Sequence, residues 1–296
     1  LIIGYLLFGV ALQYTGGGEF FLNLAFALLG RYRGGPAKVA VVASGMMGSL
    51  SGSVVSNVLT TGVMTIPAMK KVGFRPSYAA GVEACASTGG ALMPPIMGAA
   101  AFIMAFVLSV PYGSIVIAAV IPSFLYYLAL FVQIDAYAAR NGLKGLEQKD
   151  IPSLSTVLRE GWYFVFVLGL LIFLLLYMQQ EAQAPFYETV LLIVLNQFNA
   201  QHRWNLDDVR EFLVGSARLF AELCAVVAGV GMIIGALSLT GKIGTIAYEL
   251  VRLAGDSTIL LLVMGAFTCF VLGTGMTSSA AYLFLAITLA PGLVDA

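Results

Sequence analysis

Small residues that carry neutral oxygen atoms are concentrated in two short stretches of the sequence, from Gly48 to Asn57 and from Gly273 to Ser278. Hydroxyl, amide and backbone carbonyl oxygens at close range suit a partly dehydrated monovalent cation. Two sets of cation ligands are predicted. The first set is Ser51, Ser53, Ser56, Asn57, Thr88 and Gly89, and the second set, near the C-terminus, is Gly273, Thr274, Met276, Thr277 and Ser278. The alternative is that these small residues only allow helices to pack closely.

Two adjacent prolines, Pro94 and Pro95, follow a run of small residues that begins at Ser87. Each proline removes a backbone N–H donor and clashes with the preceding turn, so the sequence predicts a broken helix. The N-terminus of a half-helix presents unpaired N–H groups and a positive dipole end, which favour an anion. The predicted substrate-binding residues are Ser53, Gly90, Pro94, Pro95 and Thr277, and the predicted substrate is a small organic anion.

Residues for covalent chemistry are not grouped in this sequence, so no catalytic residue, no cofactor and no metal site beyond the cation sites is predicted. His202 is the one histidine and lies in a basic loop, where we expect it to be solvated. Glu83 and Glu222 are the acids most plausibly at membrane depth, where ionisable groups are usually functional. Glu83 is expected to carry a coupling proton or to orient the neighbouring hairpin, and Glu222 to pair with Arg218.

The elements that hold these residues must lie in lipid. Hydrophobic residues make up 60% of the 296 positions and charged residues only 10%. Segments such as Ser114–Leu130 and Trp162–Met178 carry no charge over about the 17–25 residues that a membrane-spanning helix needs. Because the net charge is zero, no nucleic-acid partner is indicated. The predicted fold class is an all-α integral membrane protein surrounded by a lipid bilayer.

Charge distribution predicts how the helices are arranged. Basic groups at positions 31–38, 70–75, 140–159 and 203–218 are predicted to be cytoplasmic, and the connections Pro111–Gly113 and Gln179–Glu188, which lack Lys and Arg, to lie on the other side. The segment from Lys38 to Lys70 is long enough to cross once, yet both of its ends are basic. A re-entrant helical hairpin that reverses near Gly48–Ser53 resolves this conflict.

An internal repeat relates the two oxygen-rich stretches. A constant offset of 225 positions aligns eight residues, Ala11, Leu12, Thr15, Gly16, Leu28, Gly30, Gly48 and Ser53, with identical residues later in the chain. The short amphipathic segments Phe20–Leu29 and Ile243–Leu253 are predicted to lie in the membrane interface. Because the two hairpins would enter from opposite sides, the pattern predicts an inverted repeat.

The repeat also predicts domain boundaries. Residues 1–139 form the first repeat, with interfacial arm, re-entrant hairpin, proline-broken helix and spanning helix. Residues 140–218 form a cytoplasmic loop, two scaffold helices and an interfacial segment, and residues 219–296 form a second repeat with the second hairpin. The second repeat is expected to be incomplete, because the equivalent of Pro94 would fall at position 319, which is 94 plus 225. The absence of an initiator Met likewise suggests a chain truncated at both ends.

The segments Ser51–Ser53, Ile66–Phe74, Gly81–Ala84 and Ser87–Gly98 together resemble the large permease subunit of TRAP transporters, the tripartite ATP-independent periplasmic carriers. The resemblance is closest to the fused permeases of the TAXI branch. It implies an elevator-type secondary carrier of the bacterial inner membrane, driven by a Na⁺ or H⁺ gradient. The implied partners are an extracytoplasmic solute-binding protein and a small membrane subunit or fused N-terminal helices. A channel-like or structural membrane subunit is the alternative, and an intramembrane enzyme comes third.

Overall fold

The computed structural model describes residues 2–199, 202–241, 249, 252, 257–274, 281–282 and 285–286. Within these residues all regular secondary structure is helical. The helices are α1 (Ile2–Tyr14), α2 (Gly17–Leu29), α3 (Gly35–Ser51), α4 (Val54–Lys71), α5 (Pro76–Gly90), α6 (Ala99–Leu108), α7 (Tyr112–Arg140), α8 (Leu154–Leu176), α9 (Ala184–Gln197), α10 (Leu206–Leu239) and α11 (Thr258–Gly273). The prediction of an all-α protein is therefore confirmed.

Three helical stretches among the described residues are long and apolar enough to cross a membrane, judged by length and composition. They are Tyr112–Arg140, Gln148–Leu176 and Leu206–Gly229. The first is also the most apolar of the three. Large hydrophobic side chains such as Phe124, Leu125 and Phe166 remain exposed on these stretches, as expected for helices that face lipid.

The chain divides into two compact units, residues 1–217 and 218–296. The first unit contains α1 to α9 and the start of α10. The second contains the rest of α10, which continues to Leu239, and α11. In the second unit, the hydroxyl of Thr240 bonds the carbonyl of Ala236 and Gly241 has a left-handed φ of 66°, as is common after a helix.

Helices α3 and α4 form a hairpin whose reversal is encoded by two residues. Gly52 follows α3 with φ 62°, a left-handed conformation that favours glycine at a helix C-terminus. Ser53 follows in an extended conformation and caps α4, because its hydroxyl accepts the N–H of Ser56 at 3.4 Å. We call residues 49–53 the hairpin tip.

Both ends of this hairpin lie near the same loops, at what we call the base of the unit. Arg33 and Lys38, at the start of α3, both pair with Asp135 near the end of α7. Lys71, at the end of α4, pairs with Asp150 at 2.7 Å, in the connection between α7 and α8. Ion pairs thus join the basic groups at 31–38 and 70–75 to the end of α7 and to the connection that follows it.

The predicted break in the next helix is confirmed. Helix α5 ends at Gly90, α6 begins at Ala99, and residues 91–98, which we call the break, form turns that include both prolines. Helix α7 then returns to the base, where Phe74, Tyr78 and Tyr137 stack with ring centroids 3.7–6.0 Å apart. This aromatic cluster fixes α7 against the start of α5.

Helices α1, α8 and α9 form a second group of helices in the first unit, and α2 packs against both α3 and α8. The predicted arm Phe20–Leu29 lies within α2, and Phe20 stacks on Phe164 of α8 at 5.2 Å. Its placement in the membrane interface stays a prediction. The second predicted arm, Ile243–Leu253, falls almost entirely outside the described residues.

Candidate functional site

The hairpin tip and the break are in direct contact. The carbonyl of Ser49 accepts the backbone N–H groups of Ile96 and Met97, both at 3.2 Å. A Cβ on Gly52 would lie only 2.6 Å from the carbonyl oxygen of Met97, so the two backbones leave no room for a side chain there. Two segments of irregular backbone therefore support each other inside the first unit.

A glycine pair brings the two helices that lead to this contact together. A Cβ on Gly48 of α3 would lie 2.4 Å from the Cα of Gly90 of α5, and a Cβ on Gly90 would lie 2.4 Å from the Cα of Gly48. Any larger residue would force the helices apart, because the obstructing atoms belong to the backbone. Gly90, which the sequence predicts to contact substrate, takes part in this helix-to-helix contact, and its role in substrate binding stays a prediction.

Asn57 is the predicted cation ligand with the most unusual surroundings. Its side chain is 1% exposed, and its amide nitrogen donates to the carbonyl of Ser44 at 2.8 Å. Its amide oxygen Oδ1 is buried and has no hydrogen-bond partner among the described residues. A buried amide oxygen without a donor is costly unless something absent from the structure binds it.

The three serines predicted as cation ligands, Ser51, Ser53 and Ser56, are less free than the sequence suggests. The Ser51 hydroxyl accepts the N–H of Ser53 at 3.4 Å, and the Ser53 hydroxyl caps α4. Ser56 is partly buried, and its carbonyl accepts the Thr60 hydroxyl at 2.8 Å. These contacts stabilise the reversal of the chain, although each hydroxyl oxygen keeps a second lone pair for another partner.

Thr88 and Gly89 face away from the tip. Thr88 is exposed, and its hydroxyl bonds the carbonyl of Ala84 at 2.8 Å. A Cβ on Gly89 would collide with the ring of Tyr126 at 2.4 Å, so this glycine faces α7. The structure therefore brings together the predicted cation ligands Ser51, Ser53, Ser56 and Asn57. The side of α5 that carries Thr88 and Gly89 is not part of this group.

The two prolines differ in their surroundings. The carbonyls of Pro95 and Ile96 both lie within hydrogen-bonding distance of the buried Tyr112 hydroxyl, at 3.1 Å in the case of Pro95. Pro94 borders an apolar cavity of about 430 Å³ between α3 and α7, together with residues such as Met46, Phe124 and Tyr127. An apolar cavity offers no favourable partner to an anion.

The second predicted group is described only at its beginning. Gly273 ends α11, and the hydroxyl of Thr274 bonds the carbonyl of Val271 at 2.7 Å. Met276, Thr277 and Ser278 lie outside the described residues.

Glu83 is the centre of a polar cluster that joins three helices. Its carboxylate is 0% exposed. Oxygen Oε1 lies 2.9 Å from the hydroxyl of Ser44 on α3 and 3.2 Å from that of Ser87 on α5, and it also bonds the hydroxyl of Thr61 on α4. Oxygen Oε2 bonds the hydroxyl of Thr65, also on α4. We call these four residues the hydroxyl cluster.

Sequence reasoning found Glu83 but missed its partners. Asn57, Thr61 and Thr65 recur every four residues on α4, and Glu83 and Ser87 do so on α5, so each set lies on one helix face. This spacing was the available signal. Tyr112 was missed because nothing local connects it with the break. The expected Arg218–Glu222 ion pair is not among the ion pairs of the described residues, and both side chains are exposed, where such a pair gains little.

Comparison with known proteins identifies the chain. The family model for the tripartite ATP-independent periplasmic transporter, DctM component, matches residues 1–296. The chain is 32% identical over 163 residues to the C4-dicarboxylate TRAP transporter large permease protein of Pseudomonas aeruginosa, covering 55% of this chain and 36% of the relative. It is 27% identical over 161 residues to the sialic acid TRAP transporter permease of Haemophilus influenzae, covering 54% and 26%.

A third relative is the isethionate TRAP transporter permease of Oleidesulfovibrio alaskensis, 30% identical over 141 residues, with 48% of this chain and 22% of the relative covered. The matched segments thus span between 22% and 36% of these three relatives, all of which are transporter permeases rather than enzymes. Because the family model covers every residue, the chain belongs to the DctM component of the tripartite ATP-independent periplasmic transporters.

Proposed function

We propose that this chain is the ion-coupled part of a permease that imports a small organic anion across the bacterial inner membrane. An extracytoplasmic solute-binding protein delivers the anion, and a small membrane subunit or fused N-terminal helices complete the transporter. The driving force is a Na⁺ or H⁺ gradient rather than ATP. The three relatives described above are named as permeases for C4-dicarboxylates, sialic acid and isethionate, and these three compounds are anions at neutral pH.

One observation carries the proposal. The hairpin tip contacts the break, and Asn57 lies beside Gly48, in the glycine pair that leads to this contact. Its buried amide oxygen has no hydrogen-bond donor among the described residues. A coupling cation is the partner that this oxygen lacks, and the hydroxyl oxygens of Ser51, Ser53 and Ser56 are the nearest additional ligands along the chain. Irregular backbone at membrane depth occurs where it lines a cavity or binding site.

The mechanism we propose is of the elevator type. In it, α3 and α4 form a re-entrant hairpin that moves together with the broken helix α5–α6, and the helices α1, α8 and α9 remain as a scaffold. The sequence repeat supports an inverted second copy with its own cation site, which includes Gly273 and Thr274. Ion pairs at the base, such as Lys71 with Asp150, support the assignment of both hairpin ends to the cytoplasmic side.

The anion is proposed to bind where helices begin at the tip and the break. Helix α4 begins at Val54 and α6 at Ala99, and both starts adjoin the contact between these two segments. Helix N-termini stabilise anions through free N–H groups and the helix dipole, so no buried Arg is needed. Ser53, Gly90 and Pro95 stay proposed as residues that border this site, with Pro94 on its apolar side.

The test uses the full-length permease with its partner proteins in proteoliposomes. Asn57→Ala is expected to raise the cation concentration for half-maximal uptake about fivefold or more, because it removes the uncompensated oxygen. Ser53→Ala is compared with Ser53→Val, which adds bulk at the tip. Ser155→Ala, in an exposed position, is the matched control.

A packing role predicts a different outcome. Unchanged ion dependence in the alanine variants, together with lost expression of Ser53→Val, would mean that the tip serves helix packing and does not bind the cation. Uptake that persists after the Na⁺ and H⁺ gradients are both collapsed would contradict ion coupling. A substrate flux that does not saturate would indicate a channel.

A further inference from the structure

We propose that Glu83 is a proton-binding site, and that the hydroxyl cluster around it is built to accept both the charged and the neutral carboxyl group. The inference rests on the proposed function only in linking proton binding to transport. Cation binding at the tip and proton binding at Glu83 are separate sites, because the described hydrogen-bond partners of Glu83 do not include the proposed cation ligands.

The ionised form is stabilised by four hydroxyl donors. Ser44, Thr61 and Ser87 direct their hydroxyls to Oε1, and Thr65 directs its hydroxyl to Oε2. Hydrogen bonds to a buried carboxylate are stronger than those between neutral groups. None of these partners carries a charge, so the negative charge is not fixed by an ion pair.

The neutral form is satisfied equally well, because the threonines have alternative acceptors. Thr61 Oγ1 also lies 2.8 Å from the carbonyl of Asn57, and Thr65 Oγ1 lies 3.0 Å from the carbonyl of Thr61. Ser44 Oγ lies 3.0 Å from Thr61 Oγ1. When Glu83 takes up a proton, its new O–H donates to Thr65 Oγ1 and Thr65 donates to the carbonyl behind it. Hydroxyl groups rotate to allow this exchange.

Charged groups on the elements packed against α5 are engaged elsewhere or exposed. On α3, Lys38 pairs with Asp135 of α7 and lies over the Phe131 ring. On α4, Lys71 pairs with Asp150 and Lys70 is exposed. Other ionisable groups on these elements likewise bond other residues or face outward. The hydroxyls of Tyr126 and Tyr127 donate to the carbonyls of Cys85 and Ala86, and the rings of Tyr78 and Tyr137 stack on each other. The side chains of Arg75, Arg140 and Cys85 are exposed.

Proton binding at Glu83 reaches the hairpin tip through one helix face. A neutral carboxyl group is also a weaker acceptor at Oε1 than a carboxylate, so the Thr61 hydroxyl turns from Oε1 to the carbonyl of Asn57. Asn57 is the residue whose Oδ1 lacks a partner among the described residues. The step forms one O–H bond on Glu83 from a proton of the surrounding water, and the proton returns to water on release. Because Glu83 is fully buried, proton exchange with water requires a transient opening between α5 and the hairpin.

The direct test is infrared difference spectroscopy of the purified full-length permease in lipid, cycled between mildly alkaline and mildly acidic pH. We expect acidification to produce the carbonyl band of a protonated carboxylic acid, present in Glu188→Gln and Glu222→Gln but lost in Glu83→Gln. In the Glu188→Gln protein the band must shift when glutamate is labelled with ¹³C, and it must not shift when Glu83→Asp is added, because the carboxyl group then belongs to an unlabelled aspartate. Glu83→Asp keeps a carboxyl group and so tests Glu83 even where Glu83→Gln fails to fold. A band unchanged by Glu83→Gln, or absent from the wild type, overturns the proposal.

A transport measurement tests the link to coupling, with succinate as the probe. In proteoliposomes, Glu83→Gln is expected to reduce accumulation driven by a pH gradient about tenfold, while exchange of internal for external succinate at equal pH stays within about twofold of the wild type. Accumulation that survives Glu83→Gln overturns the link. If the wild type fails to accumulate succinate, the proposed substrate class fails, whereas the infrared result still decides the proton site.

Discussion

Glu83 and Glu188 are both 0% exposed, yet their surroundings are opposite. Glu83 lies between three helices and bonds four hydroxyl groups. Glu188 lies in α9, and neither of its carboxylate oxygens has a hydrogen-bond partner among the described residues. Burial alone therefore does not define a site. The difference is whether the neighbouring helices carry donors at the correct spacing.

This contrast separates the two groups of helices in the first unit. Around Glu83, α3, α4 and α5 approach closely at Gly48 and Gly90 and carry small or hydroxyl residues. Around Glu188, α9 packs mainly on α1, whose residues Tyr5, Phe8 and Leu12 are large and fully buried. An isolated ionised carboxylate in such surroundings would cost several kcal/mol, so Glu188 is either neutral or paired with a group outside the described residues.

Replacement of Glu83 by leucine is expected to have the largest effect. Glu83→Leu should lower the free energy of unfolding by about 2–3 kcal/mol, because buried hydroxyls lose a charged acceptor. The threonines retain backbone carbonyls, so the cost falls mainly on Ser44 and Ser87. Thermal unfolding of the purified protein in detergent measures this, with the exposed Glu222→Leu as control. A loss no larger than in the control would contradict the proposed role of the hydroxyl cluster.

The glycine contact that holds the three helices together gives the next prediction. Gly48→Ala should destabilise the protein by about 1–3 kcal/mol, because its Cβ would lie 2.4 Å from the Cα of Gly90 and the helices must separate. Gly81→Ala on α5 is the matched control, since nothing lies within 4 Å of its Cβ position. There the better helix propensity of alanine should leave stability equal or raise it by up to about 1 kcal/mol. Equal effects of the two variants would argue against close packing at Gly48.

Glu188→Leu is expected to change stability in the opposite direction to Glu83→Leu. Removing a buried carboxyl group that has no partner should raise the free energy of unfolding by about 1 kcal/mol, measured by the same thermal unfolding. Glu188→Gln keeps the shape and the polarity and should change stability less. Clear destabilisation by both variants would mean that the full-length protein supplies a partner, and would place Glu188 in the same class as Glu83.

How much of this could be read from the sequence depends on whether the signal is local. The hairpin reversal at Gly52 and the break at Pro94 and Pro95 are encoded by the residues themselves, and both were predicted. The hydroxyl cluster was missed because its members become neighbours only when α3, α4 and α5 pack. Glu188 was predicted to lie in a connection outside the membrane, whereas the structure buries it in α9. Pro185, in the first turn of α9, was the available signal for a helix start.

Replacement of Glu181 is expected to change the free energy of unfolding least. This residue is intermediate between Glu83, which has four hydroxyl partners, and Glu188, which has none among the described residues. It belongs to the same predicted connection as Glu188, but its oxygens accept the backbone N–H groups of Tyr112 and Gly113, both at 2.8 Å. A carboxylate at a helix N-terminus satisfies unpaired N–H groups and opposes the helix dipole. Glu181→Gln keeps one acceptor but loses the charge, so the free energy of unfolding should fall by about 0.5–1 kcal/mol at low salt.

Salt separates this contribution from packing, because the dipole effect is screened in high salt whereas a contact is not. The difference between wild type and Glu181→Gln should therefore shrink in thermal unfolding as salt is added, and the Glu188→Leu difference should not. A salt-independent loss in Glu181→Gln would assign its effect to geometry at the start of α7. The start of α7 also carries Tyr112, whose hydroxyl contacts the break. A change in the geometry of this helix start should therefore also alter the cation dependence of transport. A loss of the electrostatic interaction alone should leave the cation dependence unchanged.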